Sequence, residues 1–190
     1  MNRILIPTDF SPTAEIALRY ALNIALKSKS RVYLYHVYTP INKSTSISLD
    51  KTIKQLNTQT ELNLGKKLQR LKKKVMPNGH DMAVIIAVGC TPIITSILNF
   101  TKKNNIDLIV MGTQGSSGLK KVIVGSVAAS VIQKSTIPVL LIPEKFEWKD
   151  PQQITYATDY QKTERQALSS VINFAKYYNA EVSVTHLLNI

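Results

Sequence analysis

Short, nearly continuous apolar runs alternate along this chain with longer stretches whose apolar residues recur every three or four positions. The runs suit strands covered on both faces, and the recurring pattern suits one-sided helices. RILIP (3–7), RVYLYHVY (31–38), MAVIIAV (82–88), IDLIVM (106–111) and TIPVLLIP (136–143) read as five strands. Residues 12–28 place Ala17, Tyr20, Ala21, Ile24 and Ala25 on one helical face, with Ser11 as cap, Pro12 in the first turn, and Lys27 and Lys29 near the end. A polar loop, 39–48, precedes a long helix whose expected buried stripe is Leu49, Ile53, Leu56, Leu64, Leu68, Leu71 and Val75, closed by Pro77-Asn78-Gly79. Thr91-Pro92 opens a helix to about Lys103 by the same cap-and-proline logic, and a last helix runs from Ser126 to about Lys134. This alternation predicts a doubly wound α/β fold with a mainly parallel five-stranded sheet. Ligands of such sheets bind beyond the carboxyl ends of the strands, where strand order reverses, and Thr8-Asp9 and His36-Val37-Tyr38 fall at such ends.

The opening of the chain recurs. Shifted by 150 residues without a gap, residues 4–37 align with 154–187, and Ile4/Ile154, Thr8/Thr158, Asp9/Asp159, Ala17/Ala167, Leu18/Leu168, Val32/Val182 and His36/His186 are identical. The reading is a complete domain over 1–143, a charged linker at 144–153 carrying Trp148 and Pro151, and an incomplete second repeat, strand-helix-strand, over 154–190. A βαβ unit of that size buries little core alone. We therefore expect a fragment or naturally short relative of a two-domain protein, with Tyr156, Phe174, Tyr177 and Val184 left seeking a partner.

Composition narrows the classes. No apolar run reaches the ~20 residues of a membrane helix, the N-terminus lacks a secretory pattern, and a lone cysteine, Cys90, forms no internal disulfide. A cytoplasmic location is expected, with Cys90 a small buried filler at a strand end. The net charge of +12 attracts anions without naming one. Much of it sits in Lys66, Lys67, Arg70, Lys72, Lys73 and Lys74, largely on the solvated side of the long helix and without the interleaved aromatics of a nucleic-acid platform.

Met111 to Val127, MGTQGSSGLKKVIVGSV, carries the chemistry. Gly112, Gly115 and Gly118 let the backbone turn sharply and bring N–H groups to a ligand, and Gly125-Ser126 stand at a helix N-terminus, where unpaired donors favour phosphate. An ordinary strand-to-helix loop is the plain alternative. The order Gly112, two residues, Gly115, nine residues, Gly125-Ser126 resembles the nucleotide-binding signature of the universal stress protein family, as do the opening ILIPTDFS and the strand ending in His36-Val37.

That resemblance covers residues 2–143 and the opening of a second domain, and implies the adenine nucleotide alpha hydrolase-like fold plus an extra partial βαβ unit. It implies ATP, or AMP or ADP, as ligand. Asp9 and Val37 would hold ribose and adenine, with Pro7 and Thr8 on the same wall. Met111 and Gly112 would flank the nucleoside, and Gly115, Ser116, Ser117, Gly125, Ser126 and Val127 would surround the phosphates. Gln114 departs from the basic or histidine residue common there, and Lys120 and Lys121 offer charge nearby. Magnesium bridging the phosphates fits this scheme. No metal cluster involves His36 or His80, no catalytic base stands out, and a nucleotide-responsive module is the leading reading. Its rivals are a slow ATPase or nucleotidyl-transfer enzyme and a basic protein binding RNA or another polyanion. The family likeness also implies a homodimer, or a pseudo-dimer of the repeats, through strand 139–142, with an unidentified protein partner downstream.

Overall fold

In the structure, a computed structural model that describes residues 1–42, 47–76, 82–113, 124–145, 147–158 and 164–186, the apolar runs form strands β1 (Arg3–Pro7), β2 (Arg31–Tyr38), β3 (Val84–Cys90), β4 (Leu108–Gly112) and β5 (Val139–Ile142). They make one sheet in the order β3-β2-β1-β4-β5, and every neighbouring pair is parallel. β1 is central, and Ile4, Leu5 and Ile6 have no exposed surface. The helices are α1 (Pro12–Ser28), α2 (Ile47–Val75), α3 (Ile93–Lys103) and α4 (Ser126–Lys134). One face of the sheet packs Leu5, Tyr33, Tyr35, Ile109 and Met111 against Ile97 of α3 and Ala128 and Val131 of α4. The alternate residues meet α1, where Ala17, Tyr20, Ala21, Ile24 and Ala25 are buried as their spacing predicts.

Strand pairing moves some ends. β3 begins and ends two residues later than its apolar run, because it pairs with β2 as far as Tyr38↔Cys90. Cys90, the last residue of an edge strand, is exposed, contrary to the buried filler expected. The expected stripe of α2 departs at one described position: Leu68 is fully buried and Ile53, Leu64, Leu71 and Val75 are half-buried, but Leu56 is 48% exposed, since α2 packs chiefly on β3, less on α1 and β2, and outruns the sheet; the Leu49 side chain and residues 77–81 lie outside the described residues. At α3 the N-cap is Pro92, which offers no side-chain acceptor, and the Thr91 N–H goes instead to the Tyr38 carbonyl at 2.9 Å. No helix among the described residues is long and apolar enough to cross a membrane.

Two compact units divide the chain, Met1–Phe146 and Glu147–Ile190. The second contains β6 (Gln153–Thr158), α5 (Glu164–Lys176) and β7 (Glu181–His186), with β6 and β7 parallel. Its geometry repeats that of β1-α1-β2. The register Ile4↔Val32 recurs as Ile154↔Val182. Lys29 and Asn179 are left-handed, with φ 54 and 52, after their helices, and the Ser30 and Ala180 N–H groups both return to the carbonyl five residues back, of Ala25 and Ala175. The outer faces differ. Leu5, Tyr33 and Tyr35, which carry the apolar layer over α3 and α4, correspond to Thr155, Ser183 and Thr185, and Ser183 donates to Thr155 at 3.2 Å. Val184 is 56% exposed, whereas Tyr156, Phe174 and Tyr177 are half-buried. Trp148 belongs to this unit: its indole N–H donates to Asp150 and its ring approaches Tyr178 at 6.1 Å.

Two outcomes follow for residues 1–143. A Cβ at Gly89 would lie 1.8 Å from the Tyr35 hydroxyl and 2.8 Å from Ser96 Oγ. Gly89→Ala is expected to lower stability by about 1–3 kcal/mol through overpacking, partly restored by Tyr35→Phe, as denaturant unfolding will show. Glu15 accepts from Lys74 of α2 at 2.6 Å and Arg19 at 3.0 Å. The Lys74 bond, with help from Arg19 and against partial burial, holds the Glu15 carboxyl below its ordinary 4.5. A lowered carboxylate contributes stability that is complete above its unfolded value and lost as pH falls through the folded one. Lys74→Met should therefore cost up to about 1 kcal/mol at neutral pH, nothing well below pH 4, and raise the Glu15 midpoint in an NMR titration.

Candidate functional site

Strand order reverses between β1 and β4: the chain steps from β1 through β2 to β3 on one side, then crosses to β4 and β5 on the other. The carboxyl ends of β2, β1 and β4 are therefore adjacent, and they carry Val37, Pro7-Thr8-Asp9 and Met111-Gly112 respectively. Val127 and Ser126 open α4 beside them, joined through Gly125, whose N–H donates to the Thr113 carbonyl at 2.7 Å. That bond commits the Gly125 N–H. What α4 brings to an anion is the first-turn N–H groups of Ser126 and Val127 and the exposed Ser126 hydroxyl. Gly115, Ser116 and Ser117, like Gln114, Gly118, Lys120 and Lys121, lie outside the described residues.

Local chemistry explains the turn after β1. The Thr8 N–H continues the ladder to the Tyr35 carbonyl at 2.8 Å, its hydroxyl oxygen accepts from the Phe10 N–H at 3.1 Å, and Asp9 Oδ1 accepts from the Ser11 N–H at 2.9 Å. Ser11 then caps α1 by accepting from the Ala14 N–H at 3.2 Å. Asp9 is exposed while Thr8 and Ser11 are buried, so the turn presents a carboxylate on a rigid base. Gly112 answers it from β4. A Cβ there would lie 2.6 Å from Thr13 Cγ2, so only glycine lets β4 and α1 approach this closely. Met111 and Val127 turn their side chains into or against the apolar cluster over α3 and α4, and Val37 packs at its margin. Met111 thus offers a ligand its backbone rather than its thioether.

Three side chains join this site, of which the sequence pattern places only His36 at a strand end facing it. Phe10 has φ 64, a left-handed conformation that costs an L residue about 1–2 kcal/mol. Its ring lies 4.6 Å from that of His36, and the Lys67 ammonium sits 3.9 Å from its centroid. His36, a strand histidine that reads as a satisfied core residue, is half-buried at the strand end with Nδ1 2.7 Å from the Thr8 carbonyl. Lys67 belongs to the basic run that reads as solvated surface, and in that run Lys72 also donates to the Val84 carbonyl at 3.2 Å. Two further ties fasten α2 near this end. Asn57 exchanges two hydrogen bonds with the Ile41 backbone, at 2.9 and 3.1 Å, and the Tyr38 hydroxyl donates to Glu61 at 2.8 Å. Burial above all, with bonding to Glu61 and Cys90, drives the Tyr38 phenol well above its usual range, which keeps it a donor.

With this geometry in place, known proteins locate the fold. The universal stress protein family matches residues 1–143. Universal stress protein MJ0577 of Methanocaldococcus jannaschii is 32% identical over 157 residues, spanning 76% of this chain and 96% of its own, and the solved MJ0577 structure superposes with a TM-score of 0.59, covering 77% and 98%. Universal stress protein YxiE of Bacillus subtilis is 30% identical over 147 residues, 74% of this chain and 98% of its own. A universal stress protein solved in complex with cAMP shares the fold at 17% identity and a TM-score of 0.54, covering 75% of this chain and 97% of its own. The order of strands, the glycine spacing and these matches agree: the chain belongs to the universal stress protein family.

Proposed function

We propose that residues 1–143 bind an adenine nucleotide, ATP or its AMP and ADP relatives, across the carboxyl ends of β2, β1 and β4, and act in stress response or signalling through nucleotide-dependent interactions with a protein partner. The observation that carries the reading is the pairing of an exposed carboxylate, Asp9, with the glycine-edged strand-to-helix segment on the neighbouring strand. Asp9 is suited to accept from ribose hydroxyls, while the α4 N-terminus and the glycine segment suit phosphate oxygens. The cAMP complex of a protein with this fold supports a ligand of this class. Among the described residues no group of three or more His, Cys, Asp or Glu gathers, so a magnesium ion would be carried by the phosphates themselves. The ties of Lys67, Lys72 and Lys74 to Phe10, Val84 and Glu15 weigh against an RNA-binding role for that run.

Calorimetry with the full chain tests the reading. Wild-type protein is expected to bind ATP, and Asp9→Ala to lose about 1.5–3 kcal/mol, roughly ten- to a hundredfold in affinity, with Gly115→Val losing at least as much while circular dichroism stays native. No ATP binding by the wild type, or full affinity in both variants, would sink it. We propose too that β5, an edge strand with half-buried Val139, Leu140 and Leu141, pairs with a second copy. Sedimentation should give twice the chain mass, falling to one chain in Leu140→Lys; a wild-type monomer would refute the pairing.

A further inference from the structure

Phe10 stands in a strained backbone conformation immediately after Asp9, and two side chains from other elements hold its ring there, His36 of β2 and Lys67 of α2. A carbonyl oxygen only accepts, so the 2.7 Å contact with Thr8 requires the proton on His36 Nδ1. The imidazole is thereby fixed in tautomer and orientation on the backbone of the residue before Asp9, with its ring against the residue after it. The second repeat retains this bond independently: His186 Nδ1 lies 2.7 Å from the Thr158 carbonyl, although the opposite face of its strand has become polar. The sequence also keeps an aromatic residue at the matching place, Tyr160 for Phe10.

We propose that His36, Phe10 and Lys67 are positioning residues of the nucleotide site, a brace in which His36 and Lys67 hold the Phe10 ring and so keep the Thr8-Asp9-Phe10 turn in the conformation that presents the Asp9 carboxylate. The inference rests on the adenine-nucleotide reading above and adds the groups that make its acidic contact competent. It also links α2 to the site, because Lys67 is the part of the brace that α2 supplies. An unbraced turn populates the presenting conformation only in part, and affinity falls by the fraction lost.

The experiment measures ATP and adenosine affinity and melting temperature in the full chain. His36→Phe keeps a ring but removes the donor to Thr8; Phe10→Gly removes the ring but suits positive φ. Each is expected to weaken ATP and adenosine alike by about tenfold, whereas Phe10→Tyr stays within twofold of wild type. The discriminating readout is Phe10→Gly: its melting temperature should hold or rise while its affinity falls, whereas a merely structural ring would lose both together. Lys67→Met should weaken both ligands about threefold, and Lys67→Arg should restore them; weakening of ATP alone would mark a simple charge effect and overturn the brace. Should His36→Phe fail to fold, Lys67→Met at its exposed position decides the matter. ATP binding by the wild type with unchanged affinity in these variants overturns the brace and leaves the nucleotide reading standing. No ATP binding by the wild type overturns both.

Discussion

Ile4, Leu5 and Ile6 are sealed from solvent on both faces of the sheet, and the arrangement of residues 1–143 follows from keeping them so. A strand buried this completely has to satisfy its backbone on both edges, which β2 and β4 do in parallel. Parallel neighbours demand crossover helices, and the helices cover the two faces with α1 on one side and α3 and α4 on the other. The carboxyl ends of three adjacent strands then open at one place. Pro7 closes β1, Thr8 makes the last ladder bond, and the chain turns through Asp9 and Phe10 into α1. The site is thus a consequence of burying the central strand, and Gly112 adds the condition that β4 approach α1 at Thr13 without a side chain between them.

Helix α2 is held differently. Among its described side chains only Leu68 is fully buried, with Ile53, Leu64, Leu71 and Val75 half-buried, so burial supplies only part of its anchorage. Polar contacts make up the difference: Asn57 to Ile41, Glu61 to Tyr38, Lys67 to Phe10, Lys72 to Val84 and Lys74 to Glu15. Each is individually worth little in an exposed setting. Lys72 ties the helix to the amino end of β3, and the other contacts fix it beside the end of the sheet where Asp9 emerges. A cluster of lysines that reads as solubilising charge therefore also sets the position of a helix beside the site.

The internal repeat separates what a βαβ unit requires from what its surroundings require. Both copies keep the strand register, the left-handed residue after the helix, the bond that closes that turn, and the histidine on the carbonyl of the threonine at the end of the first strand, Thr8 or Thr158. These belong to the unit itself. The outer face is free to differ: Leu5, Tyr33 and Tyr35 answer to an apolar helical layer, and Thr155, Ser183 and Thr185 do not. A polar face there is compatible with solvent or hydrogen-bonding contact rather than with helices like α3 and α4.

Local pattern alone determined the alternation of strands and helices, the face of α1, the Ser11 cap and the repeat, because side-chain period, capping and turn chemistry act over a few residues. It also singled out the glycine segment and Asp9 as candidates, since sharp turns and turn carboxylates need particular residue types. The positions of Cys90 and Leu56 were not legible, because exposure at a sheet edge depends on which strand lies outermost and how far a helix overruns it. Nor was the Pro92 cap, which depends on where β3 ends against β2. Phe10, His36 and Lys67 come from three elements separated by 26 and 31 residues, read from their positions in the chain. Nothing in the residues TDFS announces a left-handed phenylalanine, and nothing in a lysine-rich helix announces which ammonium lies over a ring. Only the packing of α2 and β2 around the end of β1 decided that.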